Sequence, residues 1–324
     1  MTKAIGLISG GLDSILAAKI ILEQGIEVVG ASFSTPFFGS QGAERAAKEL
    51  GVLLRLLDIT EPHLAILRHP KHGYGNNMNP CIDCHALMLR EAGRVMEQVG
   101  GDFIFTGEVL GQRPMSQSKA ALKVVERESG YEGHILRPLS AKLLPETIPE
   151  KEGKVDREKL LDIEGRSRKR QMELSKRYHI RDYLSPAGGC LLTEPVFSRR
   201  MRDLFQQRGP FKIRDIELLK VGRHLRLSPD VKVIVGRYAE DNEKILRMTA
   251  PVDDLLKVEG YPGPLLLIPN GGALEDIKRA ASICVRYSDA PKEEVITVIW
   301  RKNGKEKEVQ IRSCHPDLPT ELMI

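Results

Sequence analysis

The sequence has few cysteines, no long apolar run and no internal repeat. Five cysteines in 324 residues are few and odd in number, so a disulfide framework is not expected and the thiols need another explanation. No run of about 18 apolar residues is present, so we expect no membrane span. The chain passes from Thr2 and Lys3 directly into a strand-like run, without a secretory pattern. These absences predict a cytoplasmic protein with no membrane partner.

Charge of neither sign dominates the sequence as a whole. Lysine and arginine total 49 against 44 acidic residues, and the resulting net charge of +5 is weak support for a polyanionic partner. Two stretches are nevertheless strongly basic: residues 165–181 hold seven basic residues and one acid, and residues 197–226 hold nine and three. Such stretches are either solvated helix faces or tracks for the phosphate backbone of a nucleic acid.

The first 58 residues alternate between strand and helix patterns. Apolar runs rich in valine and isoleucine predict strands, and apolar residues at helical spacing predict the helices between them. The predicted strands are residues 3–8, 26–33 and 52–58, and the predicted helices are residues 13–24 and 41–50. This order implies a doubly wound parallel sheet with helices on both faces.

The rest of the chain is less regular. We predict, in chain order, a polar loop at 61–79, a helix at 81–99, a strand at 103–106, a connector at 137–156 and a basic helical stretch at 159–181. After a Pro-Ala-Gly-Gly turn at 186–189 the pattern changes to short strands at 231–235, 265–268, 295–300 and 307–311, with one helix at 272–287. The sequence therefore predicts a first domain at 1–183 and a separate α+β module at 184–324.

A glycine-rich hexapeptide ends the first predicted strand and opens the first predicted helix. Its residues are Ser9, Gly10, Gly11, Leu12, Asp13 and Ser14. The glycines let the backbone approach an anion closely, and the first N–H groups of a helix carry partial positive charge. The serine hydroxyls add donors, whereas the carboxylate of Asp13 suits Mg²⁺. An ordinary strand-to-helix turn is the alternative, but the complete hexapeptide in this context predicts phosphate binding.

The hexapeptide resembles the SGGxDS loop of the PP-loop ATPases, which have a HUP-like fold and cleave ATP to AMP and pyrophosphate. The segment 106–112, with Ser116 and Gln117 after it, is similar to the TGExxGQ…SQ segment of the 4-thiouridine synthases. Residues 137–139 are similar to their RPL segment. The resemblance covers the chain to about residue 145.

This resemblance implies positions for the nucleotide. In that family the second strand contributes to the adenine pocket, which corresponds here to Ala31, Ser32 and Phe33. Gly107 and Gln112 then fall near the nucleotide. ATP and Mg²⁺ are the implied ligands of the first domain.

The second half contains a candidate RNA-binding part. The 4-thiouridine synthases usually carry an RNA-binding THUMP domain ahead of the catalytic domain, whereas here the catalytic pattern begins at residue 1. We therefore expect RNA binding in the C-terminal half, where residues 221–224 (VGRH) and 235–242 (VGRYAEDN) resemble the RNA-binding module of NFACT proteins. The resemblance favours a nucleic-acid track for the basic stretches and implies tRNA as the partner.

Three cysteines are candidates for chemistry. Cys81 and Cys84 form a CxxC motif. Asn79 and Pro80 suit the cap and the first position of a helix, whose N-terminus favours the thiolate of a cysteine in its first turn. Cys190 follows a pair of glycines, which lets the loop swing its sulfur into place. We therefore expect the three thiols to converge between the connector and the first domain.

Converging thiols could take several roles. Zn²⁺ would need His85 as a fourth ligand. Cluster-dependent PP-loop tRNA thiolation enzymes show a CxxC with a distant cysteine, and the resemblance implies a [4Fe–4S] cluster on Cys81, Cys84 and Cys190 with one iron left open. A related mechanism without a cluster uses two cysteines as persulfide carrier and resolving thiol. A reduced CxxC unrelated to Cys190 remains the plainest alternative.

The other cysteines and the histidines are weaker candidates. Cys284 lies in an apolar helical pattern and is predicted to fill a core. Cys314 beside His315 is a minor candidate for a metal ligand. The polar loop at 61–79 is either mobile or a lid over a uridine. Its candidate residues are His63, His69, His72 and Tyr74.

These features predict an ATP-dependent tRNA uridine sulfurtransferase. A uracil carbonyl oxygen would attack the α-phosphate of ATP, and sulfur from sulfide or a persulfide carrier would then displace AMP. The favoured product is 4-thiouridine and the alternative is 2-thiouridine. The predicted catalytic residues are Asp13, Cys81, Cys84 and Cys190. A PP-loop ligase or amidotransferase acting on a small molecule, and a non-catalytic RNA-binding protein, are the rival hypotheses. Nothing in the sequence indicates an oligomeric state.

Overall fold

The computed structural model describes residues 1–113, 115–184, 189–207 and 211–324. The chain divides into two compact units, Met1–Glu194 and Pro195–Ile324. Residues 186–188 of the predicted turn, and Arg208 of the second basic stretch, lie outside the described residues. In the described part of the chain, no helix combines the length and the apolar character needed to cross a membrane.

The first unit is built on a parallel sheet. Its strands are β1 (Lys3–Leu7), β2 (Glu27–Ser34), β3 (Leu53–Asp58), β4 (Phe103–Phe105) and β5 (Ile135–Leu136). They lie in the order β3-β2-β1-β4-β5, and every neighbouring pair is parallel. Parallel neighbours require crossover connections, which here hold α1 (Leu12–Leu22), α2 (Gln41–Leu50), α3 (Thr60–Arg68), α4 (Cys81–Val99) and α5 (Lys119–Ser129). Two further helices, α6 (Ile148–Lys151) and α7 (Lys169–Arg177), follow β5.

The sheet of the first unit is covered on both faces. Consecutive residues of a strand point to opposite faces, and the central strand shows this directly. Ala4 packs in a core with Leu16 of α1 and Ala43 of α2. Ile5 packs in a second core with Leu89 of α4. The predicted doubly wound fold is therefore confirmed.

Two predicted segments of the first unit are wrong in part. The polar loop predicted at 61–79 begins instead with α3, because His63, Leu64 and Leu67 form a buried helical face. The basic helical stretch predicted at 159–181 is an α-helix only over α7. Gly165 breaks the stretch before α7, with a φ of +78°.

The second unit is built on an antiparallel sheet. Its strands are β6 (Arg223–Ser228), β7 (Val231–Val235), β8 (Asp254–Val258), β9 (Leu266–Ile268), β10 (Ile296–Lys302) and β11 (Lys305–Ile311). They lie in the order β11-β10-β8-β9-β7-β6. The helices are α8 (Pro195–Gln206), α9 (Ile213–Leu218), α10 (Ala239–Met248), α11 (Leu274–Tyr287) and α12 (Leu318–Glu321). The predicted α+β class of this half is confirmed.

Local sequence explains the hairpin at the sheet edge. Asn303 and Gly304 join β10 to β11, and both adopt positive φ, 47° and 73°. A two-residue turn of this kind matches the right-handed twist of the strands that it joins. On the inner face of the sheet, α11 buries Ile277 and Cys284 against β8 and its neighbours.

Candidate active site

The predicted phosphate loop lies between β1 and α1. Gly10 has a φ of +81°, and a Cβ there would lie 2.3 Å from the carbonyl carbon of Gly42, so only glycine fits. Ser14 Oγ donates a 2.8 Å hydrogen bond to the carbonyl of Gly11 and accepts one of 3.3 Å from the N–H of Ser9. No side chain among the described residues caps α1. The N–H groups of its first turn can therefore receive an anion.

Asp13 has unused bonding capacity inside this loop. Its Oδ2 accepts a 3.2 Å hydrogen bond from Nε2 of Gln112. Its Oδ1 is buried and lacks a hydrogen-bond partner among the described residues, and the nearest cation is Nη2 of Arg168 at 3.7 Å. Nε of Arg168 is likewise buried and unpartnered within the described ranges. A free carboxylate oxygen beside a free guanidinium N–H fits a magnesium nucleotide, with the metal on Asp13 and phosphate on Arg168.

Arg168 was not among the predicted site residues. It belongs to the first basic stretch, where the sequence offered only a solvated face or a nucleic-acid track. The approach of Arg168 to Asp13 arises from tertiary packing of the segment before α7. The only sequence signal for it was the local excess of positive charge.

The segment that follows β4 packs directly on the phosphate loop. A Cβ on Gly107 would lie 2.5 Å from the backbone of Asp13, so glycine permits this approach. The next residue, Glu108, accepts hydrogen bonds from Arg137 Nε at 3.1 Å and contacts His85 Nδ1 at 2.8 Å. Burial alone would raise the pKa of Glu108, but Arg137 and His85 lower it to about 2. The ionised carboxylate of Glu108 thus links the segment after β4 to Arg137 of the connector and to His85 of α4.

The predicted adenine-pocket residues lie toward the carboxyl end of β2. The carbonyl of Ala31 accepts a 2.9 Å hydrogen bond from the N–H of Ile8, which immediately precedes the loop. Ala31 and Phe33 have their side chains in the core on the α4 side of the sheet. Ser32 faces the opposite side. A nucleotide at this strand end would therefore contact Ser32 and the strand backbone.

The CxxC motif lies at the start of α4. Cys81 is the first residue of the helix, and Pro80 occupies the cap position that was predicted for Asn79. The amide of Asn79 is used differently, because its Nδ2 donates a 3.1 Å hydrogen bond to the sulfur of Cys81. This hydrogen bond orients the sulfur at the helix start. The geometry thus supports a reactive or ligating sulfur at Cys81.

The three candidate thiols share one region of the first unit. Burial raises the pKa of the Cys84 thiol well above its usual value, and the charges of Cys190 and Cys81 raise it further. Burial also raises the pKa of Cys190, to about 11. The backbone N–H groups of Leu192 and Thr193 oppose this effect, because they lower the pKa. The amide of Asn77, in the segment before α4, also donates a 2.7 Å hydrogen bond to the carbonyl of Thr193, three residues after Cys190. The thiols are therefore neighbours, although Cys190 is far from the motif in sequence.

Two consecutive residues connect the thiols to the phosphate loop. Gln112 donates its hydrogen bond to Asp13. The adjacent Arg113 lies close enough to Cys190 for its charge to lower the pKa of that thiol. The residue after Cys190 is also tied by a 3.0 Å hydrogen bond to the loop that follows β2. Both candidate sites consequently lie along the same short segment.

A zinc site would need its ligands gathered around one ion. No three His, Cys, Asp or Glu side chains in the described ranges are arranged to hold one ion. Tetrahedral zinc with Zn–S bonds of about 2.3 Å would bring its sulfur ligands to about 3.8 Å from one another. His85, the predicted fourth ligand, is held at Nδ1 by Glu108. N–H groups donate to the sulfurs of Cys81 and Cys190, which suits a sulfur that ligates or carries a persulfide.

The segment 69–79 is fixed by hydrogen bonds to the elements around it. The N–H of His72 donates to Asp83 Oδ2 at 3.0 Å, and the hydroxyl of Tyr74 donates to the carbonyl of Leu67 at 2.5 Å. His63 is buried in α3 between the rings of Phe37 and Phe38. His63 therefore belongs to the core, and a lid role for the rest of the segment stays a prediction.

The remaining cysteines lie in the second unit. Cys284 is completely buried in its core, as predicted, and burial raises its pKa to about 12. Cys314 packs at the edge of the same core. His315 lies 3.5 Å from the carboxylate of Asp317.

Comparison with known families follows the two halves of the chain. Residues 1–143 match the family described as thiamine biosynthesis protein (ThiI). Residues 222–318 match the NFACT protein RNA binding domain. Both resemblances predicted from the motifs are confirmed. Cys190 lies between the two matched ranges, so neither match bears on it.

Individual relatives match only part of the chain. A probable tRNA sulfurtransferase of Methanosarcina mazei is 32% identical over 120 residues, which are 34% of this chain and 29% of that protein. This chain thus spans less than a third of the length of that relative. The structure of a 4-thiouridine synthetase–RNA complex with bound ATP is 26% identical, covers 42% of this chain and 36% of its own, and has a TM-score of 0.33. A structure described as a predicted subunit of tRNA methyltransferase from Methanocaldococcus jannaschii is 20% identical. The match covers 43% of this chain and 69% of that chain, with a TM-score of 0.32.

Proposed function

We propose that the protein is a cytoplasmic, ATP-dependent tRNA uridine sulfurtransferase. Residues 1–183 would form its ATP pyrophosphatase domain and residues 184–324 its RNA-binding module, with Cys190 packed in the unit that ends at Glu194. One connection carries the proposal: Gln112 donates a hydrogen bond to Asp13, and the positive charge of the next residue, Arg113, acts on the thiol of Cys190. Activation of a base by ATP and delivery of sulfur to it would therefore occur at adjacent positions.

The phosphates of ATP would bind on the loop of residues 9–14. The N–H groups of the first turn of α1 and the guanidinium of Arg168 would stabilise their charge. Asp13 Oδ1, which lacks a partner among the described residues, would hold Mg²⁺. When bound, Mg²⁺ would neutralise charge on the departing pyrophosphate.

The reaction would balance without an external oxidant when sulfide is the donor. The C4 carbonyl oxygen of uracil attacks the α-phosphorus of ATP, and the bond to pyrophosphate breaks. Sulfide then adds to C4, the C4–O bond breaks, and the oxygen leaves with AMP. A persulfide donor would deliver the same sulfur but leave a disulfide between two cysteines, which a thiol must then reduce.

The three thiols would serve either form of the chemistry. Cys81, Cys84 and Cys190 would hold a [4Fe–4S] cluster, which when bound would supply one open iron for sulfide. Because burial keeps Cys84 and Cys190 protonated, binding of a thiophilic group would release protons. Without a cluster, two of the same thiols would act as persulfide carrier and resolving thiol.

The resemblance at 106–112 favours 4-thiouridine over 2-thiouridine as the product. A ligase acting on a small molecule is the second candidate, since it would use the same phosphate loop. Such a ligase needs no cysteine, so the neighbouring thiols favour the sulfurtransferase.

A reaction under anaerobic conditions tests the proposal. With tRNA, ATP, Mg²⁺ and sulfide, the protein is expected to form thiouridine, measured by mass spectrometry of the digested nucleosides. Cys190→Ser is expected to abolish the product because it removes one of the three thiols. Cys314→Ser is the matched control, since this thiol lies in the second unit, and it should leave the yield unchanged. Thiouridine formed by Cys190→Ser would contradict the proposal, and pyrophosphate release driven by a carboxylate and ammonia without tRNA would favour the ligase.

A further inference from the structure

The segment 235–242 of the second unit contains residues whose structural role is clear. A Cβ on Gly236 would lie 2.0 Å from Oδ1 of Asn242, so glycine is needed there. The same oxygen accepts a 2.9 Å hydrogen bond from the N–H of Leu265. These contacts join α10 to the sheet.

Tyr238 has no comparable structural role. It lies at the start of α10 and is 73% exposed, more than any other aromatic side chain in the described ranges. The guanidinium of Arg237 lies over its ring, 5.9 Å from the centroid. Asp241 fixes Arg237 by accepting hydrogen bonds from its N–H at 3.1 Å and its Nε at 3.0 Å. The ring and its neighbouring cation are thus held in place while the ring faces solvent.

Positive charge is concentrated beside this ring. Arg200 of α8 donates hydrogen bonds of 2.7 and 2.9 Å to two backbone carbonyls, and its Nε is buried without a partner in the part of the chain that the structure describes. Burial, and then the charges of Arg237 and Arg199, lowers the pKa of Arg200 to about 10. Asp241 is the one acid that acts on it in the opposite direction. One of the two carbonyls belongs to Gly222, where a Cβ would lie 2.5 Å from the backbone oxygen of Val235, so Arg200 lies beside the segment that leads to Arg237. A polyanion would relieve the repulsion among these cations.

We propose that Tyr238 is a stacking platform for an unpaired nucleotide of RNA, with the adjoining phosphates bound by Arg237, Arg199 and Arg200. The inference rests on the proposed function in one respect, that RNA is the ligand. An aromatic ring stacks on any unpaired base, whereas the bases of a duplex are already stacked on one another. The guanidinium groups contact phosphates and so add affinity that depends on salt. The second unit would thus recognise a single-stranded part of its substrate.

Binding of two RNA probes to the full-length protein tests this inference. One probe is a blunt hairpin, and the other is the same hairpin with a short single-stranded 3′ extension. Tyr238→Ala is expected to weaken binding of the extended hairpin by on the order of 10-fold and to leave the blunt hairpin unchanged. Tyr238→Phe keeps the ring and should bind both probes as the unaltered protein does. Fluorescence anisotropy measures all affinities.

Two further variants control for the chemistry of the surface. Leu246→Ala removes an exposed apolar side chain from the same helix and should change neither affinity. Arg199→Gln should weaken both probes and reduce the dependence of binding on salt concentration. Equal affinity of Tyr238→Ala and unaltered protein for the extended hairpin would overturn the inference. An equal loss for both probes would overturn it as well.

The outcome is separable from that of the sulfurtransferase assay. In one outcome, the unaltered protein forms no thiouridine while Tyr238→Ala weakens binding of the extended hairpin only. That result would contradict the proposed reaction and support the stacking role of Tyr238. If thiouridine forms and Tyr238→Ala binds the extended hairpin normally, the platform fails and the reaction stands.

Discussion

Asp13 in the first unit and Asp254 in the second differ in how their carboxylates are bonded. Asp254 is completely buried and accepts hydrogen bonds from Trp300 Nε1 at 2.8 Å, the N–H of Gly272 at 2.9 Å and Lys302 Nζ at 3.3 Å. Asp13 has one hydrogen bond on Oδ2, and its buried Oδ1 has none among the described residues. Buried polar atoms are nearly always paired, so Oδ1 has the capacity to bind a ligand or an ordered water. The satisfied aspartate belongs to the scaffold and the unsatisfied one to a site.

Replacing each aspartate by asparagine gives the largest expected contrast. Asp13→Asn should lower the rate of thiouridine formation by on the order of 10³-fold, because it weakens binding of the Mg²⁺ that would neutralise the phosphates. Its free energy of unfolding should change by less than about 0.5 kcal/mol. Asp254→Asn should lower the free energy of unfolding by about 2 kcal/mol, because an amide NH₂ would replace one of the two oxygens that accept hydrogen bonds from Trp300, Gly272 and Lys302. Urea unfolding measures the free energy of unfolding, and the anaerobic assay measures the rate of thiouridine formation. A larger loss of unfolding free energy in Asp13→Asn than in Asp254→Asn would contradict the distinction between the two aspartates.

Glu108 sharpens the comparison, because it is a satisfied carboxylate that lies next to the site. Its pKa in the folded protein is about 2, below the ordinary value of 4.5, so the ionised form stabilises the fold. This stabilisation is fully present above about pH 4.5 and is lost as the pH falls through about 2, and it amounts to about 3 kcal/mol. The unfolding free energy of the unaltered protein should therefore decrease as the pH falls from about 4.5 to about 2. In Glu108→Gln that decrease should be smaller by about 3 kcal/mol. Urea titrations at several pH values measure it, and an unchanged pH dependence would show that Arg137 and His85 do not stabilise the carboxylate.

The phosphate loop could be predicted from the sequence because its determinants are adjacent in the chain. The strand, the two glycines and the helix start that form it lie within the first 22 residues. The positive φ of Gly10, +81°, belongs to the turn between this strand and this helix. Local determinants of this kind are visible in a sequence pattern.

The approach of Arg168 to Asp13 and of Arg113 to Cys190 could not be predicted from the sequence. Both pairs are distant in the chain, and the doubly wound fold brings them together. Sequence periodicity predicts elements but not which loop residues meet across a sheet edge. β8 was missed as well, since its apolar run is short: the strand begins with Asp254, which finds its partners only in the folded sheet, and contains Lys257.

The central claim is that the phosphate loop and the three thiols form one site, and alkylation of the metal-free protein tests it most directly. Mass spectrometry would measure the rate at which maleimide modifies Cys190 and Cys314, with and without saturating MgATP. We predict that MgATP slows the modification of Cys190 and leaves the modification rate of Cys314 unchanged. In Asp13→Asn, MgATP should no longer slow the modification of Cys190. An unchanged rate at Cys190, with ATP binding established by calorimetry, would contradict it.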